Sequence, residues 1–286
     1  MQQSLDQFYT RKEIAQLCWE VFIDTLSALN KNTNALFFFE PSAGIGAFFD
    51  LLPVDRRLGI DLVPKCDGVI TENFFDVSEI PFAPQDTAVI GNPPFGKRGK
   101  LAIDFFNHAA YFADIVAFIV PLNFRKYSVH KRLNASMQFI EKLVLPRDAF
   151  HLDNGKLFSV NTEFQIWTRL ESKHNDMREW KPLPIFHEDF QLWQYNNTTD
   201  ALKNFYNEFD FAVPCQGWQD YSRKETDEKK CERTKQWMLI KAESLMALER
   251  LMNIDYENLA QKCATAVPGF RKADLVKEYT DRYEKT

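Results

Sequence analysis

The sequence has few cysteines, and they show no pairing pattern. Its 286 residues include five, an odd number, with no C-x-x-C pair and no histidine nearby at the spacing of metal ligands. Disulfide frameworks and structural zinc sites both require such spacing. We therefore expect reduced thiols, a cytoplasmic protein and no bound metal. The five are Cys18, Cys66, Cys215, Cys231 and Cys263.

Long hydrophobic runs are also missing. The longest apolar run, Ile115–Pro121, is far shorter than the roughly 20 residues that a membrane-spanning helix needs. The start of the chain, Met1 to Lys12, has no apolar core of a signal peptide. These absences predict a soluble intracellular protein without a membrane partner.

An overall positive charge is absent, since 35 Lys and Arg stand against 40 Asp and Glu. This balance argues against a protein that binds nucleic acid through its net charge. The charge is unevenly spread, however, because seven basic and two acidic residues lie between Lys97 and Arg132. A hydrophobic fraction of 45% with 26 Phe excludes a disordered chain.

The first informative feature of the sequence is a predicted buried strand that is followed by a glycine-containing loop. The apolar run Ala35–Glu40 ends in an acid and is typical of a parallel strand. Gly44 and Gly46 follow it and allow a tight turn close to a ligand, and residues 47–52 are expected to begin a helix. A second strand ends at Asp61, about 20 residues further on, where nucleotide-binding folds place a ribose-binding carboxylate.

Two common nucleotide-binding classes do not fit this loop. A phosphate-binding P-loop requires Gly-Lys-Ser/Thr, which does not follow Gly46. A dinucleotide dehydrogenase requires a third glycine at the position occupied by Phe49.

The most specific motif is Asn92-Pro93-Pro94-Phe95, directly after the apolar strand Thr87–Gly91. The Asn92 side-chain carbonyl and the Pro93 carbonyl can accept hydrogen bonds from one planar NH2 group. Phe95 can stack on the ring that carries this group. The motif therefore indicates a site for an aromatic amine.

The motif and the glycine loop together resemble the S-adenosylmethionine-dependent N6-adenine methyltransferases whose cofactor motifs precede the catalytic motif, above all those that act on DNA. The resemblance covers residues 7 to 170. It implies an α/β, Rossmann-like class I methyltransferase fold with a mostly parallel seven-stranded sheet. The last two strands of this sheet are expected at Phe139–Leu145 and Glu163–Arg169, and the second of them is expected to be antiparallel.

The same resemblance implies a binding site for S-adenosylmethionine. An aromatic-Thr segment before the expected helix Ile14–Leu29 would close over this donor, although Thr10 also fits a capping box with Glu13. The implied donor-binding residues are Tyr9, Thr10, Glu40, Pro41, Ser42, Ala43, Gly44, Gly46, Asp61 for the ribose, Asp76 for the adenine, and Asn92.

In this family the acceptor adenine is turned out of the duplex and stacks between aromatic rings. The residues implied for catalysis are Asn92, Pro93, Pro94 and Phe95, with Phe95 as one wall of the base site. Either Phe158 or Phe150 forms the second wall, or both belong to the core. Basic residues near the catalytic motif either contact the backbone of the nucleic acid or form a solvated surface: Lys97, Arg98, Lys100, Arg125 and Lys126.

The resemblance stops near residue 170. Residues 171–286 are expected to form a mainly helical region that reads the substrate or serves only as a structural appendage. Helices are expected at 237–252, 256–264 and 272–285 from their apolar spacing. Alternatives to a DNA enzyme are an RNA N6-adenine methyltransferase, a protein-glutamine methyltransferase and a catalytically silent nucleic-acid-binding partner. A companion restriction endonuclease is a further possible partner.

Overall fold

The computed structural model describes residues 8–169, 176–264 and 267–284. The chain divides into two compact units, Met1–Trp180 and Lys181–Thr286. The domain boundary expected after residue 170 lies outside the described residues. Gln7, where the family resemblance begins, and Lys285, the expected end of the last helix, also lie outside them. None of the described helices is long and apolar enough to cross a bilayer.

The first unit is built on a seven-stranded sheet in the order β4-β3-β2-β5-β6-β10-β7. All neighbours pair in parallel except β10, which is antiparallel to both β6 and β7. This topology confirms the predicted Rossmann-like class I methyltransferase fold. The strands of this unit are β1 Tyr9–Thr10, β2 Phe37–Glu40, β3 Arg57–Asp61, β4 Ile70–Thr71, β5 Thr87–Gly91, β6 Ile115–Pro121, β7 Gln138–Val144, β8 Phe150–His151, β9 Leu157–Phe158 and β10 Thr162–Thr168.

Parallel pairing brings the functional loops to one edge of this sheet. Glu40 at the end of β2 lies opposite Gly59 of β3, and Gly91 at the end of β5 lies opposite Phe118 of β6. In open α/β sheets ligands bind outside the carboxyl ends of the strands, near the point where the strand order reverses. The glycine loop, Asp61 and Asn92 all follow such strand ends.

Strands β1, β8 and β9 form a separate small antiparallel sheet. Thr10 pairs with Phe150, and Phe150 pairs with Phe158. Because Thr10 is part of this extended pairing, helix α1 begins after it, at Lys12. The predicted capping box was therefore wrong: the N-cap is Arg11, and the Thr10 hydroxyl makes no hydrogen bond.

The described residues of the first unit form three α-helices: α1 Lys12–Ala28, α2 Lys100–Phe112 and α3 Tyr127–His130. The helix expected to begin within 47–52 is instead a set of turns with one 3₁₀ turn, Phe49–Leu51. Leu52 precedes Pro53 and has extended dihedral angles, because a residue before proline is disfavoured in the helical region. The segment is thus too short to form an α-helix.

The second unit contains the expected helices and, in addition, a sheet that the sequence did not predict. Its described residues include the strands β11 Phe190–Tyr195, β12 Phe211–Pro214 and β13 Trp237–Ala242, which form an antiparallel sheet with β13 in the centre. Helices α4 Leu245–Met252, α5 Tyr256–Lys262 and α6 Lys272–Tyr283 follow.

The expected helix over 237–252 is divided into a strand and a helix for a physical reason. Met238 and Ile240 pack in one buried cluster, while Trp237 and Leu239 pack in another. Alternate residues that are buried on opposite sides are typical of a central strand. The side chain of Ser244 then caps α4 by accepting a hydrogen bond from the Ala247 N–H.

Candidate active site

A cavity of about 330 Å³ lies at the edge of the seven-stranded sheet. This volume is within the range of about 300–1,000 Å³ that is typical of small-molecule sites. Most of its lining comes from five segments, 8–10, 40–48, 61–63, 72–75 and 92–94. Residues that are far apart in the chain therefore share one concave site.

The glycine loop is shaped by its two positive-φ residues and by Asp61. Gly44 and Gly46 have φ values of 52° and 83°. The Asp61 carboxylate accepts hydrogen bonds from the backbone N–H groups of Gly44 and Val63, both at 2.8 Å. One carboxylate thus holds the loops after β2 and β3 together.

The two glycines have different roles. A side chain on Gly44 would lie 3.2 Å from the Tyr9 ring, so this glycine lets Tyr9 close over the loop. Gly46 does not line the cavity, and a side chain there would collide with the Cys66 sulfur. Pro41, Ser42 and Ala43 line the cavity as expected.

Three buried polar atoms along the cavity have no hydrogen-bond partner: Thr10 Oγ1, Glu40 Oε2 and Asn92 Oδ1. Leaving a buried polar group unpaired costs about 1–3 kcal/mol, so such groups indicate a ligand that pairs with them. An amino acid joined to a nucleoside carries ammonium and hydroxyl donors that suit Glu40 and Thr10, which leaves Asn92 Oδ1 for a second ligand. The residues present therefore fit S-adenosylmethionine.

Glu40 has an unusual electrostatic environment. It is 2% exposed, and burial raises the pKa of its carboxyl well above the usual range. A backbone hydrogen bond from Phe49 opposes this pKa shift, while the nearby Asp61 and Asp50 carboxylates add to it. A cationic ligand beside Glu40 would favour its ionised form.

The structure does not bring Asp76 into the cavity. Asp76 is exposed, and its carboxylate accepts a hydrogen bond from the Asn73 side chain at 3.1 Å. Asn73 itself lines the cavity. The assignment of Asp76 to the donor adenine is therefore corrected, because a 3₁₀ turn at Phe74–Asp76 turns this residue away.

Sequence reasoning also missed several apolar residues of the cavity wall. Leu62 and Phe75 are 52% and 41% exposed, and the Phe75 ring packs edge-on against Phe105 at 5.0 Å. All three line the cavity and offer flat or apolar faces to a ring. Their position just after an acid or an amide is the signal that could have identified Leu62 and Phe75.

The Asn92–Phe95 motif is anchored on both sides. The Ser42 hydroxyl donates to the Asn92 backbone carbonyl at 3.2 Å, and the Phe95 carbonyl accepts from Leu101 and Ala102 at the start of α2. Asn92, Pro93 and Pro94 line the cavity, whereas Phe95 is 6% exposed and does not.

The expected base-stacking rings form an aromatic cluster around Phe8, which also lines the cavity. The Phe8 ring is nearly parallel to Phe158, with centroids 4.9 Å apart, and edge-on to Phe95 at 5.2 Å and to Phe150 at 5.0 Å. Phe150 is fully buried, whereas Phe158 is half-buried. Neither ring lines the cavity, and Phe158 is the partly exposed one of the two alternatives for the second wall.

The basic residues near the motif fall into two groups. Lys97 and Arg98 are exposed on the loop that follows the motif, and Lys100 is exposed at the first residue of α2. Arg125 instead donates to the fully buried Glu163 at 2.6 Å, so its charge is already neutralised. Lys126 is half-buried.

The second unit contains a group of potential metal ligands, His187, Asp189 and Glu284. The group is satisfied internally, since His187 lies 2.9 Å from Glu284 and the Tyr279 hydroxyl donates to Asp189 at 2.6 Å. Arg250 also lies 3.9 Å from the Asp189 carboxylate and opposes a cation there.

No family model matches the chain, and no curated protein matches it. Solved structures are similar to parts of it. A candidate RNA methyltransferase from Pyrococcus horikoshii is 16% identical, with a TM-score of 0.43 over 59% of this chain and 88% of its own. The 23S rRNA methyltransferase ErmE is 15% identical, with a TM-score of 0.39 over 58% and 71% of the two chains.

A third similar structure is the M protein of the type I restriction enzyme EcoKI. It is 13% identical, with a TM-score of 0.35 over 86% of this chain and 66% of its own. At these identities and TM-scores the likeness carries no information on substrate.

Proposed function

We propose that this protein transfers a methyl group from S-adenosylmethionine to the N6 amine of adenine in DNA. The observation that carries the proposal is the unpaired, buried Asn92 Oδ1, which lies in one cavity with Thr10, Glu40 and Asp61. An amide oxygen at the end of a strand, beside a site that fits the donor, is suited to accept a hydrogen bond from an aromatic amine.

The donor would lie along the cavity. Glu40 and the glycine loop would bind its amino-acid end, and Asp61 its ribose. Asn73, Leu62 and Phe75 would enclose its adenine, because they line the other part of the cavity. Tyr9 and Thr10 would cover the donor from the small sheet.

When bound, the donor would supply an electrophilic methyl group on sulfur. The acceptor nitrogen would bond to this methyl carbon as the carbon–sulfur bond breaks, and the amine would release one proton to solvent. Asn92 Oδ1 and the Pro93 carbonyl would each accept a hydrogen bond from one N–H of the amine. These two hydrogen bonds would draw the nitrogen lone pair out of conjugation with the ring. Orientation and electrostatic complementarity would then provide the rate enhancement.

The exposed Lys97, Arg98 and Lys100 support a polyanionic substrate. They lie on the loop after the catalytic motif and at the start of α2, where the backbone of a nucleic acid would pass if its base entered the site. The second unit is the proposed sequence-reading part, and a companion endonuclease is a possible partner of such an enzyme.

The test is transfer of radiolabelled methyl from S-adenosylmethionine to unmethylated plasmid DNA and to total RNA, followed by digestion to nucleosides. We expect N6-methyladenine in DNA. The Asn92→Ala variant should lose a factor of about 10²–10³ in turnover and keep its donor affinity, while Asn258→Ala, at an exposed helical position, should match the wild type.

Each other outcome has a defined meaning. If only RNA is labelled, the substrate is RNA and not DNA. Label in protein would indicate glutamine methylation, and donor binding without any transfer would indicate a silent binding partner. Unchanged turnover of Asn92→Ala would refute the proposed catalytic role of this residue.

A further inference from the structure

Phe8 occupies the region where the proposed function requires the acceptor base. It lines the cavity together with Asn92 and Pro94. Its ring stacks on Phe158 with an interplanar angle of 20° and lies edge-on to Phe95 at 66°. These are the two rings against which a base held by Asn92 would pack.

A flat ring that covers Phe158 competes directly with a base for the same aromatic face. The stack of Phe8 on Phe158, at 4.9 Å, has the centroid spacing of a favourable aromatic pair. A base that displaces Phe8 exchanges one stack for another of similar strength. Base stacking alone therefore provides little net driving force for entry.

The backbone pairing of the small sheet begins only after Phe8. Phe8 precedes β1, whose residues Tyr9 and Thr10 pair with β8, and the Arg11 side chain donates to Asp148 at 2.9 Å. These contacts hold the segment after Phe8, whereas Phe8 itself is outside the paired strand. The ring can thus turn aside while the cover over the donor stays in place.

We propose that Phe8 fills the acceptor pocket of the free protein and is a specificity-determining residue that restricts the enzyme to adenines within a polynucleotide. This inference rests on the proposed function. A polynucleotide also contacts the basic loop after the motif, and this remote binding energy can be used to displace the ring. A free nucleoside lacks those contacts and is excluded.

The experiment compares the full-length wild type with Phe8→Ala and Phe8→Leu, with Phe82→Ala as the matched control. Phe82 also stacks on a buried ring, Phe37, at 4.1 Å, but it does not line the cavity. The first readout is the affinity for 2-aminopurine, which is measured from the fluorescence of this base in the presence of S-adenosylmethionine. The second is the ratio of kcat/KM for free adenosine to that for plasmid DNA.

We expect Phe8→Ala to bind 2-aminopurine more tightly than the wild type and to raise the adenosine-to-DNA ratio roughly tenfold. Phe8→Leu should show a smaller change, and it carries the test if the alanine variant does not fold. Phe82→Ala should behave like the wild type in both readouts.

The inference is overturned if both folded Phe8 variants bind the donor with wild-type affinity but change neither readout. Failure of the proposed function looks different. If no adenine substrate is methylated by any form but Phe8→Ala gains 2-aminopurine binding, the methylation proposal fails, and occupation of a ring-binding pocket by Phe8 is supported.

Discussion

Asp61 and Gly44 form a 2.8 Å hydrogen bond that joins the ends of two neighbouring strands. The other carboxylate oxygen of Asp61 accepts from the Val63 backbone at the same distance. Asp61 is therefore more than a candidate ribose ligand, because it also fixes the left-handed turn at Gly44 on which the donor site depends.

Replacing Asp61 by Asn should weaken donor binding. An amide keeps only one acceptor oxygen, so it can serve Gly44 or Val63 but not both. Loss of a hydrogen bond to a charged group costs about 1.5–3 kcal/mol, which corresponds to a decrease in affinity of roughly 10- to 100-fold. Titration calorimetry with S-adenosylmethionine measures this, and Asp55→Asn, whose side chain is 81% exposed, is the control. Equal affinity in wild type and variant would contradict the role of Asp61.

Glu40→Gln should change how stability depends on pH. Burial raises the folded-state pKa of Glu40 well above its ordinary value of 4.5, so the folded protein retains this proton more strongly than the unfolded chain. The stabilising effect of the protonated carboxyl is present below pH 4.5 and is lost as pH rises through the folded-state pKa. Gln cannot ionise, and the variant should gain stability over the wild type, by about 1–3 kcal/mol, as pH rises.

Urea unfolding without ligand at pH 5 and pH 8 measures this difference. If the difference in free energy of unfolding between wild type and Glu40→Gln is the same at both pH values, Glu40 does not titrate as proposed. In donor titrations the affinity of the wild type should rise with pH, because a cationic ligand favours the ionised carboxylate. The affinity of Glu40→Gln should be lower and should not change with pH.

Lys100→Ala should reduce the salt dependence of nucleic-acid binding. Each lysine that neutralises a phosphate contributes roughly one to the slope of log K against log salt. Lys100 is exposed, so its loss should lower this slope by about one without affecting stability. Fluorescence anisotropy with labelled DNA at several salt concentrations measures the slope. Lys142→Ala, at an exposed position of β7 that does not line the cavity, is the comparison, and an unchanged slope for Lys100→Ala would place the nucleic acid elsewhere.

Glu163→Gln should destabilise the first unit. Glu163 is fully buried and accepts from both Arg125 and Gln165 at 2.6 Å. An amide in its place presents an NH2 group to one of these donors, and an unsatisfied buried group costs about 1–3 kcal/mol. Chemical denaturation measures this loss, with Glu141→Gln at an exposed position of the adjacent strand as the control. Equal stability of Glu163→Gln and the wild type would mean that the buried pair contributes nothing.

Much of the first unit follows from local patterns. The run Thr87–Gly91 is a buried strand in the structure with the bounds that its apolar residues predicted, and Arg57–Asp61 agrees as well. Strands that are buried on both faces consist of continuous apolar residues, and the acids and amides that end them are visible in the sequence. The positions of Glu40, Asp61 and Asn92 at one sheet edge were therefore predictable.

The sequence could not decide between Asp76 and Asn73, because a 3₁₀ turn of three residues determines which side chain faces the cavity. Nor could it show that Phe8 would pack against Phe95 and Phe158, since pairing in the small sheet brings Phe8 to Phe158, whereas Phe95 follows β5 of the large sheet. In the second unit, burial on both faces makes Trp237–Ala242 a central strand. Local spacing thus determined which strands and loops form, whereas contacts between distant segments decided which side chains face the site.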